Sequence, residues 1–128
     1  DHPETISYEF NLARALARAG HHEEALTILE TVEEREARTL PPTHWYKAMT
    51  FLAAAESLRS VGRLDEAYDR ARSAFCIYRH SFSVTDSRCR DAIDEIVRIN
   101  DLQNDADRTT KFQEAINSGT LQSLLCGD

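Results

Sequence analysis

The chain is poor in the residues that mark several common classes of functional site. It has only four glycines and three prolines in 128 residues, and the glycines are too scattered to form a phosphate-binding loop. It contains no G-x-S-x-G hydrolase motif and no alternation of polar and apolar residues typical of β-strands. We therefore expect an all-α protein that is not an enzyme and binds no cofactor.

Long apolar segments are also missing. No run of about 18 apolar residues occurs, which predicts that no segment spans a membrane, and no apolar stretch follows a basic start as in a signal peptide. The formal net charge of −7 disfavours nucleic acid as a partner, because phosphates require a clustered basic surface. The expected partner is therefore neither nucleic acid nor membrane.

The cysteines predict a reduced protein. Cys76, Cys89 and Cys126 form no C-x-x-C pair, and an odd number of cysteines gives no complete disulfide framework. Cys76 lies in the apolar stretch 74–77, where a buried free thiol is the default. The sequence thus favours a reducing compartment, and we expect a cytoplasmic location.

Two fragments of catalytic or metal motifs are incomplete. Segment 22–26 begins like the zinc motif H-E-x-x-H, but Leu26 stands where the second histidine is required. Cys76 and His80 are four residues apart on an expected helix, yet a thiol in apolar surroundings is usually inert. We expect no metal site and no catalytic residue.

The strongest positive signal is an internal repeat with a spacing of 42 residues. The matches are small residues where two helices would touch and a glycine where the chain would turn. Such a period predicts a stacked array of helical hairpins, and these arrays usually present a surface to another protein. Ala13, Leu16, Gly20, Glu24 and Ala25 recur as Ala55, Leu58, Gly62, Glu66 and Ala67, and His2 recurs as His44.

Hydrophobic periodicity and turn residues predict six helices over 3–19, 22–39, 44–61, 64–80, 86–102 and 106–117, followed by a short closing turn at 121–125. Gly20 and Gly62 end two helices in a left-handed conformation, Asn104 replaces glycine at the third turn, and Thr43 is the expected N-cap of the third helix. The apolar residues expected to face the core include Trp45, Tyr46, Tyr68, Phe75, Tyr78, Ile93, Ile96, Val97, Leu102, Phe112, Ala115 and Ile116.

The pattern Asn11-Leu12-Ala13-x-x-Leu16-x-x-x-Gly20-x-x-x-x-Ala25 resembles the tetratricopeptide repeat (TPR). That repeat usually spans about 34 residues, and the 42-residue spacing is similar to its kinesin-light-chain type, which has longer helices. HEAT and armadillo repeats have a similar period but do not typically show the Gly-x-x-x-x-Ala pairing. Asn11 matches an asparagine that recurs in the kinesin-light-chain groove, whereas Ala53 and Glu95 occupy the equivalent positions here.

The resemblance implies an all-α fold, an α-solenoid of antiparallel hairpins forming a TPR-like superhelix with about 2.5 to 3 repeats and six or seven helices. We expect a single domain over 1–128, with repeats at 1–42 and 43–84 and a degenerate repeat or cap at 85–128. Because the pattern begins at a repeat boundary, we also expect a longer array in the parent protein, preceding Asp1.

The resemblance also implies where a partner binds, since the first helix of each TPR hairpin lines the concave surface. Arg14, Arg18 and Arg59 would hold carboxylates through forked hydrogen bonds, and Phe10, Met49 and others would hold an apolar anchor. The alternative is that these arginines are solvated or paired, for example with Glu9 or Glu56. The candidate groove residues are Phe10, Asn11, Arg14, Arg18, Met49, Leu52, Glu56 and Arg59; the repeat offset also places Ser7 of the first repeat and Asp91, Asp94 and Arg98 of the third on the concave side.

The expected function is therefore a scaffold for protein–protein interaction, with a protein or peptide partner that carries acidic residues. One alternative is a regulatory module that packs against a catalytic or signalling domain of its own parent chain. A second alternative is self-association by end-to-end stacking of the terminal helices.

Overall fold

The computed structural model describes residues 3–127, and the regular secondary structure of this part is entirely helical. The expected all-α solenoid is confirmed, and the helix boundaries agree with the sequence-based ones to within one residue. The expectations for Asp1, His2 and Asp128 lie outside the described residues. The helices are α1 (Pro3–Arg18), α2 (His22–Thr39), α3 (Trp45–Ser60), α4 (Leu64–Ser81), α5 (Ser87–Gln103), α6 (Ala106–Ser118) and α7 (Leu121–Cys126).

The first two hairpins have the same turn. Gly20 and Gly62 adopt φ values of +88° and +83°, a region that side chains with a Cβ avoid. In both turns the N–H of the residue after the glycine donates to the carbonyl four residues before the glycine, at 2.8 Å and 2.9 Å. This bond satisfies a carbonyl that the helix end leaves unpaired.

The third hairpin turns without glycine. Asn104 takes the left-handed conformation with φ of 55°, which asparagine tolerates better than most residues. Asp105 then caps α6, because its side chain accepts a hydrogen bond from the backbone N–H of Arg108 at 3.1 Å. The sequence-based prediction of a turn at Asn104 is confirmed.

Neighbouring hairpins pack through a core that is rich in alanine. Helix α2 packs against both α1 and α3, and α4 packs against both α3 and α5. The helices approach closely because the residues at their crossings are small, and a larger side chain there would have no room. The fully buried alanines are Ala13, Ala25, Ala48, Ala55, Ala67, Ala71, Ala74 and Ala92.

Several expected core and cap positions were wrong. Tyr46, Val97, Leu102 and Ile116 are exposed. The last three lie on α5 and α6, which make little contact with each other, and Tyr46 lies in the first turn of α3. The N-cap of α3 is His44 and not Thr43, since the His44 side chain accepts from the Tyr46 backbone N–H at 3.1 Å.

A short helix closes the C-terminal end of the array. Helix α7 packs against α4 and α6 and buries Leu121 and Leu125. A disulfide joins Cys76 of α4 to Cys126 of α7, and the Arg72 guanidinium donates to the Leu125 carbonyl at 3.2 Å. The expected closing segment is therefore a helix tethered by both covalent and polar contacts.

The disulfide corrects the expectation that Cys76 is a free buried thiol. The two cysteines are 50 residues apart in sequence, and only the packing of α7 on α4 brings them together. The inference of a reducing compartment rested on a free Cys76, and this basis no longer holds. The buried free thiol is Cys89, where burial raises the pKa.

Within the described residues, none of the helices is long and apolar enough to cross a membrane.

Candidate functional site

A concave groove of about 640 Å³ runs across the first helices of the three hairpins. It is lined from α1, α3 and α5, with His22, Leu29 and Tyr78 contributed by the second helices. Among its lining residues are seven of the candidate residues, namely Phe10, Arg14, Arg18, Met49, Leu52, Glu56 and Arg59.

Asn11 is the candidate residue that does not line the groove. It is exposed on α1, and its side chain follows that of Phe10 by about 100° around the helix axis. Asn11 therefore lies outside the groove. Phe10 and Arg14 are four residues apart, so they lie on the same side of α1 and both line the groove.

The floor of the groove is apolar. Phe10 and Met49 are half-buried and Leu52 is buried, and the small residues Ala17 and Ala53 lie beside them. An apolar side chain of a ligand would lose water contact against these groups, which is the main favourable term in most associations.

Arg59 is not available for a partner's carboxylate in the way the sequence suggested. Its guanidinium forms two hydrogen bonds with the carboxylate of Glu95, at 2.5 Å and 3.3 Å. The Glu95 side chain is only 1% exposed, and Arg98 lies 3.6 Å away from it. Arg59 therefore neutralises a buried charge, and the expected three-arginine patch is reduced to two.

The ion pair between Arg59 and Glu95 was not predicted from the sequence, although the internal repeat pointed to an unusual residue at position 95. At the 42-residue offset, Glu95 occupies the position of Asn11 and Ala53. A glutamate there must be compensated once α4 covers α5, because a buried charge without a partner is strongly unfavourable.

Arg14 and Arg18 differ from Arg59. Both are exposed, and neither forms a salt bridge with a described carboxylate. Glu9, one of the partners considered from the sequence, forms its ion pair with Arg35 of α2 instead. The Arg14 guanidinium carbon lies 5.8 Å from the centre of the Phe10 ring, which places a cation beside the apolar floor.

Glu56 lines this groove, and its surroundings raise its pKa. Its residue surface is exposed overall, but desolvation of the carboxyl raises its pKa and repulsion from Glu95 adds to the effect. Arg14, Arg59 and Arg98 act in the opposite direction. The Glu56 carboxyl therefore keeps its proton to a higher pH than an ordinary surface glutamate does.

The opposite wall is formed by α5 and carries mixed charge. Asp91, Asp94 and Arg98 are exposed and line the groove. Arg88 stands at one end, its guanidinium carbon 5.5 Å from the Trp45 ring and 4.3 Å from the Phe82 ring. Both walls thus offer charged groups to an extended ligand that lies between them.

Among the described residues, the groove contains a contact between a histidine and a hydroxyl group. No group of three potential metal ligands occurs among residues 3–127. The His22 ring nitrogen lies 3.3 Å from the Ser57 hydroxyl, but no third residue in the described part of the groove orients the ring. Cys76, considered as a nucleophile from the sequence, is in a disulfide.

Stacked antiparallel hairpins with a concave groove define the chain as an all-α helical-repeat solenoid. A family model of the tetratricopeptide repeat matches residues 8–31. A solved structure with a similar fold contains nearly identical TPR-like repeats of a protein assigned as a kinesin light chain in Podospora anserina, with a TM-score of 0.76 and 20% sequence identity. No curated protein matches the chain.

The structural match covers 96% of this chain but only 57% of the solved chain, which is therefore longer. The family model thus matches one hairpin segment, and the solved structure shows that the fold of the array is similar to that of the TPR-like repeats. Repeats of this family generally mediate protein–protein interaction. At 20% identity the likeness shows the fold and does not transfer a partner.

Proposed function

We propose that the concave groove binds an extended peptide segment of a partner protein, with an apolar anchor flanked by acidic residues. The observation that carries the proposal is the position of Arg14 and Arg18 beside an apolar floor, with no ion-pair partner for either among residues 3–127. In a chain of net charge −7, solubility alone does not require such arginines at a concave surface.

The lining charges support an acidic ligand. Arg14 and Arg18 have no ion-pair partner among residues 3–127, whereas Arg59 and Arg98 pair with Glu95, and Arg88 pairs with Asp86. The positive charge open to a ligand therefore lies on the α1 side of the groove, where it favours acidic groups of a ligand and disfavours basic ones.

The apolar floor supplies the affinity that charge alone does not. Exposed ion pairs contribute only about 0–1 kcal/mol each, whereas burial of one large apolar side chain contributes about 1.5–3 kcal/mol. Phe10, Met49 and Leu52 are positioned to accept such an anchor.

The test is a selection of random 15-residue peptides displayed on phage, followed by titration of the enriched peptides. We expect enriched sequences with an apolar residue beside acidic ones. The double variant Arg14→Glu/Arg18→Glu should weaken their binding by at least about tenfold, which corresponds to 1.4 kcal/mol. Arg59 stays unchanged, because its removal would leave the buried Glu95 without its two closest hydrogen bonds and with only Arg98, 3.6 Å away, as a counter-charge.

The matched control is Arg90→Glu/Lys111→Glu, which makes the same change in net charge at two exposed positions outside the groove. It should leave binding within about twofold, since neither side chain lines the groove and salt screens exposed charges. Equal losses in both double variants, or no enriched peptide at all, would overturn the proposal. In that case a regulatory contact with a domain of the parent chain becomes the better hypothesis, and binding should be measured against that domain.

A further inference from the structure

We propose that the disulfide between Cys76 and Cys126 is a reversible switch, and that its reduction by a dithiol releases α7 and the second half of α6 from the array. The bond joins α4 to the last residue of α7. Neither cysteine lines the concave groove. The proposal is therefore independent of peptide binding in the groove.

Helix α6 is held less closely than the second helices of the other hairpins. Among the described residues it makes little contact with α5 and more with the six-residue α7, whereas α2 and α4 each pack along two neighbouring helices. Of its thirteen residues only Phe112 and Ala115 are buried. Both belong to the same apolar cluster as Leu121 and Leu125 of α7. The position of α6 therefore depends on α7.

The start of α6 has contacts of its own. The Arg108 guanidinium donates to the side-chain oxygen of Gln103 at 2.7 Å, and its central carbon lies 4.3 Å from the centre of the Tyr68 ring. The Asp105 side chain caps the helix. Because these contacts do not involve α7, the turn at Asn104 stays in place when α7 leaves. The second half of α6 is the part that moves.

Helix α7 is too short to stay in place by its own contacts. It has six residues and no side-chain cap at Thr120, and isolated helices shorter than about 12–15 residues are marginal in water. Burial of Leu121 and Leu125 and the hydrogen bond from Arg72 recover less than the conformational entropy lost in ordering the segment. The disulfide offsets this loss, because it keeps Cys126 beside α4 and makes the contact intramolecular.

The disulfide is accessible from solvent. Cys126 is exposed and Cys76 is half-buried, and exposed disulfides are typically the labile or regulatory ones. The free thiol of Cys89 is fully buried, so it is shielded from exchange with the pair. Solvent access thus separates two cysteines that can react from one that does not.

The reaction is a thiol–disulfide exchange with a dithiol as the electron donor. One thiolate of the reductant attacks the exposed sulfur of Cys126, the sulfur–sulfur bond breaks, and Cys76 leaves as a thiolate that takes up a proton. The second thiol of the reductant then attacks the mixed disulfide and releases Cys126 as a thiol. Two electrons and two protons pass to the protein, and the reductant becomes a disulfide.

NMR relaxation of the backbone amides tests the switch in the 128-residue chain. The oxidised chain is compared with the same chain in millimolar dithiothreitol, without denaturant. We expect the order parameters of residues 112–126 to fall from about 0.85 to below about 0.6 after reduction, while those of α1 to α4 stay at about 0.85. Oxidised glutathione should restore the first values. A disulfide that only adds stability would leave all of these order parameters unchanged.

Two variants separate the switch from other effects of the reductant. Cys126→Ser, at an exposed position, should show the mobile α6 and α7 without dithiothreitol and no further change with it. Cys89→Ser is the matched control, since it removes the thiol outside the pair. It should respond to reduction and reoxidation as the unmodified chain does.

Three results would overturn the proposal. High order parameters in α6 and α7 after reduction would mean that packing alone holds the segment. Mobility in all helices after reduction would indicate general unfolding in place of a local release. Three free thiols after treatment with oxidised glutathione, counted by alkylation and mass spectrometry, would mean that the bond does not form again.

Discussion

The first two hairpins and the third hairpin reach a similar shape by different means. The α1–α2 and α3–α4 pairs turn at glycine and place Leu16 and Leu58 at equivalent inner positions. The third pair turns at Asn104, and the inner position holds Asn100, which is 2% exposed and whose side-chain amide has no hydrogen-bond partner among the described residues.

The third hairpin also differs in its local and covalent contacts. Asp86 and Asp105 cap α5 and α6 with side-chain hydrogen bonds. In the first two hairpins His44 caps α3 in this way, whereas α2 and α4 have no such caps. Helix α7 and the Cys76–Cys126 disulfide then close the end of the array. The third hairpin thus has a side-chain cap on both of its helices and lies beside a covalent tether.

The largest expected effect on stability comes from removing the disulfide between Cys76 and Cys126. A disulfide that closes a loop of 50 residues stabilises a protein by about 4 kcal/mol in the chain-entropy model, with a usual range of about 2–4 kcal/mol. Cys126→Ser should therefore lower the denaturant midpoint of the oxidised protein. Dithiothreitol should have the same effect on the unmodified chain and none on the variant. An unchanged midpoint in reductant would mean that the disulfide does not contribute to stability.

Overpacking a regular hairpin should have the next largest effect. Ala67 is fully buried at the crossing of α3 and α4, so Ala67→Leu forces the helices apart at a cost of about 1–3 kcal/mol. Urea denaturation measures this difference. Ala37→Leu, at an exposed position of α2, is the control and should change stability by less than about 0.5 kcal/mol. Equal stability of the two variants would contradict the close packing.

Restoring the repeat pattern in the third hairpin should stabilise the chain. Asn100→Leu introduces the residue found at position 58 and removes a buried amide that lacks partners among the described residues. We expect a gain of about 1–2 kcal/mol in the free energy of unfolding, the usual penalty for such a group. The control is Asn117→Leu at an exposed position of α6, which should have little effect. A loss of stability in Asn100→Leu would show that the site accepts the shape of asparagine and not that of leucine.

The smallest expected effect is a change in how the stability of the first two hairpins depends on pH. Glu36 of α2 is buried, and desolvation raises its pKa above the ordinary 4.5, although contact with Thr50 acts in the opposite direction. Between 4.5 and the raised pKa the folded state binds more protons than the unfolded state, so stability falls as pH rises through this window. Glu36→Gln removes this dependence.

Thermal unfolding at several pH values measures the effect of Glu36→Gln. The variant should be more stable than the unmodified chain at pH 7, and the difference should shrink as the pH falls towards 4.5. Glu34→Gln, at an exposed position of the same helix, is the matched control. A difference that does not depend on pH would mean that Glu36 titrates normally.

Features that depend on nearby residues were predictable from the sequence. The helix boundaries follow from apolar periodicity and from the turn residues Gly20, Gly62 and Asn104. The groove residues follow from the repeat offset, because equivalent positions of stacked hairpins face the same way. Asn11 was predicted to line the groove but does not. Successive side chains of a helix differ in direction by about 100°, so Asn11 points away from the groove although its neighbour Phe10 lines it.

The sequence by itself determined an all-α array of hairpins, its period and its turns, because these depend on local spacing, and the resemblance to the tetratricopeptide repeat implied which helices line the groove. Only the tertiary structure decided that Arg59 is held by Glu95 and that Cys76 bonds to Cys126. The two pairings join residues 36 and 50 positions apart. They depend on how successive hairpins stack, and no local pattern encodes the resulting distance between two side chains.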